Sequence, residues 1–228
     1  MTRDRQKRAQ LLERAEKISE ILCRTYPEAH CELEFRNPLE LLIATILSAQ
    51  CTDRQVNIVT RELFKKHLTP EDYCRTTLED LEKEIRRIGL FRNKAKNIRN
   101  CCQQLLEKHG GQVPRSMEEL VELSGVGRKT ANVVLGNAFH INEGIVVDTH
   151  VARLSQRLGL THERTPEHIE QALVRLVPRD HWTLFSHWLI WHGRRRCSAR
   201  QPECEACELA SLCPSRNALA PEPPPHPK

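Results

Sequence analysis

Apolar residues return at intervals of three and four along nearly the whole chain, as in Leu39, Leu42, Ile43, Ile46 and Leu47, and alternation at every second position never lasts the length of a strand. That spacing lays the apolar side chains along one face of a helix, so an all-α chain is expected. The boundary residues agree. Asn37-Pro38, Asp53, Thr77, Ser116 with Glu119 three positions on, Asp148 and Thr165-Pro166 each precede a helical stretch, where a side-chain oxygen can accept from an orphan backbone N–H. Gly89, Gly110-Gly111 and Gly159 follow apolar faces, where helices commonly end in a left-handed residue. Together these signals predict about ten helices of moderate length joined by short connections, with no internal repeat.

At 228 residues the chain is long enough to bury one large core or two small ones. Lys and Arg number 35 against 30 Asp and Glu, and the isoelectric point near 8.7 is compatible with a polyanionic partner without demanding one. Ten cysteines would suit a secreted disulfide scaffold, but four crowd between Cys197 and Cys213 while the others scatter. That distribution reads as reduced thiols plus one metal site. The N-terminal stretch MTRDRQKRAQLLERAEKI mixes charges with apolar residues and lacks the apolar core of a secretion signal. No segment approaches the ~20 apolar residues of a membrane helix. A cytoplasmic or nucleoid-associated protein without membrane contact is expected. Pro221 to Lys228 holds five prolines and little to bury, and residues 215–228 are expected to form a disordered tail.

Two segments carry candidate chemistry. The first, Leu123-Ser-Gly-Val-Gly-Arg-Lys-Thr-Ala131, lies between a helix beginning near Ser116 and the apolar pattern of Ala131, Val134 and Leu135. Gly125 and Gly127 let the backbone turn tightly and expose N–H groups at the start of the second helix, a good seat for phosphate. Such a hairpin grips the DNA backbone without reading sequence. A bare Gly-x-Gly equally serves an ordinary helix joint, and the following Arg128-Lys129 favours the polyanion. Lys129 falls in the first turn, where the helix dipole and Arg128 both disfavour an ammonium ion. A nucleophilic amine needs such a depressed pKa, because an ordinary lysine near ~10.4 is almost wholly protonated at neutral pH. A phosphate-binding or solvated cation is the other role open to it.

The second segment is Gly144-Ile-Val-Val-Asp-Thr-His-Val151, an apolar approach ending in an acid at the start of a helix that continues through Ala152, Leu154 and Leu158. Asp148 there is first of all an N-cap. The apolar run before it also holds the carboxylate partly dry at a fixed depth, which suits stabilising positive charge on a sugar or taking a proton from a lysine. Beyond the stretch WLIWHGRRR, Cys197, Cys204, Cys207 and Cys213 have six, two and five residues between them. Four thiolates so close can close a zinc site or hold a cubane iron-sulfur cluster. Arg194, Arg195, Arg196 and Arg200 surround the first of them, giving either a second phosphate contact or a solvated charged face.

In this order, the hairpin reading LxGVGRKTA, the later VDTHV and the terminal Cys-x6-Cys-x2-Cys-x5-Cys, the sequence resembles the endonuclease III family. The likeness runs from about Glu28 to Cys213 and includes Leu47-Ser-Ala-Gln-Cys-Thr-Asp53 and Gly89-Leu-Phe-Arg-Asn-Lys-Ala95, where the family has LSAQxTD and GLxxxKA. The resemblance implies two helical domains. A six-helix barrel with the helix-hairpin-helix spans 31–142, residues 1–30 and 143–214 build a helical domain carrying the cluster loop, and the active cleft lies between them.

The resemblance further implies a bifunctional DNA glycosylase/AP lyase of base excision repair, acting on double-stranded DNA with damaged bases or abasic sites, with oxidised pyrimidines as the substrate class. Lys129 and Asp148 are then the catalytic pair, and the cysteines hold a [4Fe-4S] cluster. Gln50 and Leu90 enter the duplex where the damaged nucleotide has left it, and Gly125, Gly127, Arg128, His150, Arg195, Arg196 and Arg200 contact DNA. Outside that role Leu90 would be a core contact at a helix end and Gln50 an exposed one. The loop Ser198-Ala-Arg-Gln-Pro-Glu203 carries one basic residue where similar proteins often carry more, a lack for which Arg195 and Arg196 just before it compensate. No long exposed apolar stripe is evident, so a monomer is expected.

Overall fold

The structure, a computed structural model, describes residues 3–219. Every regular element among them is helical, as the periodicity predicts. In chain order these are α1 (Arg3–Thr25), α2 (Pro38–Ser48), α3 (Asp53–Lys66), α4 (Pro70–Arg75), α5 (Leu78–Ile85) and α6 (Phe91–His109). They continue with α7 (Met117–Val121), α8 (Arg128–Ala138), α9 (Thr149–Arg157), α10 (Pro166–Leu173), a 3-10 turn at Arg179–His181, α11 (Trp182–Arg195) and α12 (Arg216–Leu219). The last of these begins inside the segment expected as a tail, and Pro221–Lys228 lies outside the described residues.

The chain divides into two compact units, one spanning Cys31–Glu143 and the other joining Met1–His30 to Gly144–Lys228. In the first, α2 is the central helix. Leu41, Leu42, Ile43, Ala44 and Leu47 are all fully buried on it, so it is covered on several sides. It packs against α3, α6 and α8. Each fully buried leucine or isoleucine there is worth about 1.5–3 kcal/mol. In the other unit α9 and α11 pack together and α1 lies on α11, around Ile18, Leu22, Val151, Leu154, Phe185 and Leu189.

Capping follows the residue chemistry. Asn37, Thr77, Ser116, Asp148 and Thr165 each accept from a backbone N–H in the first turn of the helix they open. One expectation shifts by a residue: Thr52 caps α3, and Asp53 sits inside the first turn, where its charge favours the positive end of the helix dipole. Thr69 caps α4 in a reciprocal box with Asp72 that the sequence reading passed over. Gly110 and Gly159 are left-handed after α6 and α9, as expected of them. Gly89 is not a helix stop. α5 ends earlier, at Ile85, and the left-handed residue is Leu90.

Candidate active site and thiol pocket

In the Cys31–Glu143 unit, α7 and α8 are joined by a tight turn. Leu123 and Val126 are buried at its base, and the Val126 N–H donates to the Leu123 carbonyl at 3.1 Å. Gly125 has φ +79°, and a Cβ on it would lie 2.9 Å from Asn97 Cβ, so the turn closes only with glycine there. Gly127 opens α8 with no side-chain cap, which leaves the first N–H groups of that helix for an anion. Arg128 and Lys129 follow and are both exposed. Among the described residues the Lys129 ammonium makes no ion pair.

Two residues of the same unit stand out by their backbone. Gln50, directly after the C-cap of α2, has φ +55°, and Leu90, directly before α6, has φ +57° with 58% of its surface exposed. A left-handed conformation costs a non-glycine residue about 1–2 kcal/mol, and such strain persists where neighbouring structure enforces it. The two are neighbours in space: a Cβ on Gly89 would sit 3.9 Å from the Gln50 carbonyl oxygen. Leu90 is therefore neither buried nor a core contact at a helix end. The Lys94 side chain, only 4% of the residue being exposed, donates from Nζ to the carbonyls of Leu47 at 2.9 Å and Ala49 at 2.6 Å.

In the other unit, Ile145, Val146 and Val147 are buried, and the Val146 N–H donates to Ser186 Oγ at 2.9 Å. This fixes the approach to Asp148, which is half-buried and uses Oδ1 to accept from the Val151 N–H at 2.8 Å. The second carboxylate oxygen makes no hydrogen bond within the described residues. His150, the second residue of α9, lies beside α11: a Cβ on Gly193 would fall 2.9 Å from its Nδ1. Burial holds its pKa below the ordinary value although Asp148 pulls it up.

Cys197, Cys204, Cys207 and Cys213 all line one cavity, together with Leu154, Leu158 and His192. Burial pushes the Cys207 thiol up to about 11, with Cys197 and Cys213 adding to the effect. Among the described residues no three His, Cys, Asp or Glu side chains converge closely enough to hold a single metal ion. The thiols ring a volume rather than a point. α9 supports this loop through two arginines at helical spacing. Arg153 donates to the carbonyls of Gly193 and Cys197, and Arg157 to Cys197 Sγ at 3.2 Å and to the carbonyls of Ser198 and Ala199. Behind the cavity, burial pushes His192 down to about 4, so its ring is neutral at pH 7. The Tyr26 hydroxyl is hydrogen-bonded to Nδ1, and Nε2 faces Cys207 Sγ.

The basic residues of this region divide. Arg195 is exposed and lies flat over Trp191, its guanidinium carbon 3.7 Å from the ring centre. Arg196 is held by Glu203 and Glu208. Arg200 is exposed in the loop. Arg153, Arg157, His192, Tyr26 and Lys94 were not singled out from sequence. An arginine or lysine in an amphipathic helix carries no mark of the carbonyls it will find, whereas His192 and Tyr26 lie 166 residues apart.

The profile of the family described as HhH-GPD superfamily base excision DNA repair protein matches residues 43–179. Endonuclease III of Synechocystis sp. is 50% identical to this chain, covering 93% of it and 97% of that protein. Endonuclease III of Bacillus subtilis is 50% identical over 82% of this chain and 86% of its own length. Among solved structures, a trapped endonuclease III–DNA covalent intermediate superposes with a TM-score of 0.83 at 46% identity, covering 96% of this chain and 99% of that one.

Proposed function

Since the chain belongs to the HhH-GPD superfamily of base excision DNA repair proteins and to its endonuclease III family, as a DNA glycosylase with abasic-site lyase activity, we propose that it removes oxidised pyrimidines through a Schiff base on Lys129 and then cuts the strand by β-elimination. The observation that carries this reading is Lys129 itself: an exposed lysine without a carboxylate partner, one residue into the helix that follows the phosphate-seating turn. A relative that forms a trapped covalent intermediate with DNA supports an enzyme nucleophile.

The damaged nucleotide is flipped out of the duplex, at an unstacking cost of a few kcal/mol that a lesion reduces. Gln50 and Leu90 fill the gap it leaves, while the α8 N-terminus, Arg128, His150, Arg195 and Arg200 hold phosphates. Arg196, already engaged by Glu203 and Glu208, pins the loop more than it reaches for DNA. Lys129 Nζ attacks C1′ as the bond from C1′ to the base breaks, and the free oxygen of Asp148 stabilises the positive charge that develops on the sugar. The sugar opens to an imine. Loss of a C2′ proton then expels the 3′ oxygen, cutting the strand on the 3′ side of the abasic sugar, and water releases the lysine.

The four cysteines fit a [4Fe-4S] cluster. Thiols spread around a cavity suit a polynuclear centre better than one tetrahedral zinc, whose ligand sulfurs would sit about 2.3 Å from a common point. Arg157 and the His192 ring stand beside the Cys197 and Cys207 sulfurs, and a bound cluster would hold the loop between Cys197 and Cys213 in shape. The protein works as a monomer on DNA, in the cytoplasm at the nucleoid.

Borohydride trapping on duplexes carrying thymine glycol or an abasic site tests the mechanism. A protein–DNA adduct that disappears in Lys129→Ala is the expected result. Base release with no adduct would overturn the lysine mechanism in favour of attack by water.

A further inference from the structure

A fully ionised lysine is rarely buried without a carboxylate, yet Lys94 is 4% exposed and among the described residues its ammonium donates to carbonyl oxygens alone. Those oxygens belong to Leu47 and Ala49, the last turn and C-cap of α2. They are orphan acceptors at the negative end of the helix dipole, so a cation is well matched there. The next residue is left-handed Gln50. At its other end Lys94 is equally tied: its backbone N–H donates to the carbonyl of left-handed Leu90 at 3.1 Å. Between these two anchors, the backbone at Gly89 passes beside the Gln50 carbonyl. Burial holds the Lys94 pKa below its ordinary value.

We propose that Lys94 is a positioning residue for the DNA reaction, a clamp that holds the Gln50 turn against the Leu90 turn so that both enter the duplex together. The inference rests on the proposed roles of Gln50 and Leu90 in filling the vacated site. Left-handed glutamine and leucine are conformations that a free loop would leave. The α6 helix supplies the second only by capping at Leu90, and the Lys94 ammonium supplies the first by holding the carbonyls on which the turn is built. A merely structural lysine at a helix C-terminus would stabilise α2 without reference to Gln50.

The test is a double-mutant cycle of Lys94→Met and Gln50→Ala, with Lys94→Arg as the conservative variant. It is read by single-turnover cleavage of an abasic duplex, by affinity for a duplex with a tetrahydrofuran abasic analogue, and by affinity for undamaged duplex. Misplacing the turn by about 1 Å is expected to slow cleavage by Lys94→Met roughly tenfold to a hundredfold. Affinity for undamaged duplex should change little, and Lys94→Arg should recover part of the loss. In the Gln50→Ala background the same substitution should cost almost nothing more, because the residue being positioned is gone. Equal losses in both backgrounds, or no loss in either, overturn the clamp. If Gln50→Ala alone cleaves normally, it is the insertion role of Gln50 that fails. If Lys94→Met does not fold, the cycle is run with Lys94→Arg, whose longer head displaces the turn, and additivity again refutes the proposal.

Discussion

The Tyr26 hydroxyl stands 3.0 Å from Nδ1 of His192, across 166 residues of sequence, and the opposite edge of the same imidazole meets Cys207 Sγ at 3.5 Å. One buried imidazole thereby bonds the C-terminal flank of α1 on one edge and faces the thiol loop on the other. Tyr26→Phe leaves a buried ring nitrogen without its hydrogen-bond partner, at a cost of about 1–3 kcal/mol. For a chain of this size each kcal/mol lowers the melting temperature by about 2–4 °C. A melting curve by circular dichroism checks this, and an unshifted midpoint would mean that the ring finds another partner.

Asp148 serves as a cap through one oxygen and is proposed to serve chemistry through the other, and two substitutions separate these duties. Asn is as good an N-cap as Asp, so Asp148→Asn should keep the melting temperature while cleavage of an abasic duplex falls by two orders of magnitude or more. Asp148→Ala should lose about 1 kcal/mol of stability in addition. Equal cleavage by Asn and Asp variants would remove the charge from the mechanism.

Gly125 and Gly127 look alike in sequence and differ in what they tolerate. Gly125→Ala forces a Cβ to 2.9 Å from Asn97 at φ +79° and should destabilise the chain by about 1–3 kcal/mol. At Gly127 a Cβ meets nothing within 4 Å and φ is −97°, so Gly127→Ala should unfold at nearly the natural temperature. Any weakening of DNA binding in Gly127→Ala then reports crowding of a bound phosphate, and unchanged binding by filter retention argues against the turn as its seat.

His187 on α11 is held down to about 4 by burial and by neighbouring His30. An unfolded chain takes up this proton near pH ~6.5 while the folded chain refuses it until lower pH. The folded pKa is the lower one, so the contribution is fully present above about 6.5 and is lost as pH falls toward 4. On the order of 3 kcal/mol separates the two ends of that window. Urea midpoints at pH 7 and 5 should fall more steeply for the natural protein than for His187→Gln, and parallel slopes would refute this.

If the four thiols hold the proposed cluster, removing its iron with a chelator should affect the two units unequally. Arg153 and Arg157 hold the carbonyls of Cys197, Ser198 and Ala199 and Arg196 holds Glu203 and Glu208, so the loop is tied by a few side-chain bonds only. Proteolysis is therefore expected to speed up between Cys197 and Cys213 on metal loss, with Cys31–Glu143 remaining intact. Cleavage unaffected by the chelator would show that the loop keeps its shape without a cluster.

Helix class and most helix starts were legible in the sequence because both are local. A period of three and four, and an Asn, Ser, Thr or Asp ahead of it, depend on neighbours within one turn. The placement of Lys129 and Asp148 at helix starts was legible for the same reason. The stop at Gly89 was misread because glycine permits a left-handed backbone without requiring one. The conformation passed to Leu90, whose carbonyl accepts from the Lys94 N–H as it caps α6.

By itself, then, the chain determines an all-helical fold, the order of its motifs and the four thiols at fixed spacing, since these follow from side chains acting on their own backbone. Only the tertiary structure decides which long-range partners the polar groups find. It brings Lys94 to the end of α2, Arg157 to Cys197, Tyr26 to His192, and Arg196 to Glu203 and Glu208. The physical reason is that a buried donor must meet an acceptor, and which acceptor lies within 3 Å is settled by how whole helices pack, a property no local window of sequence contains.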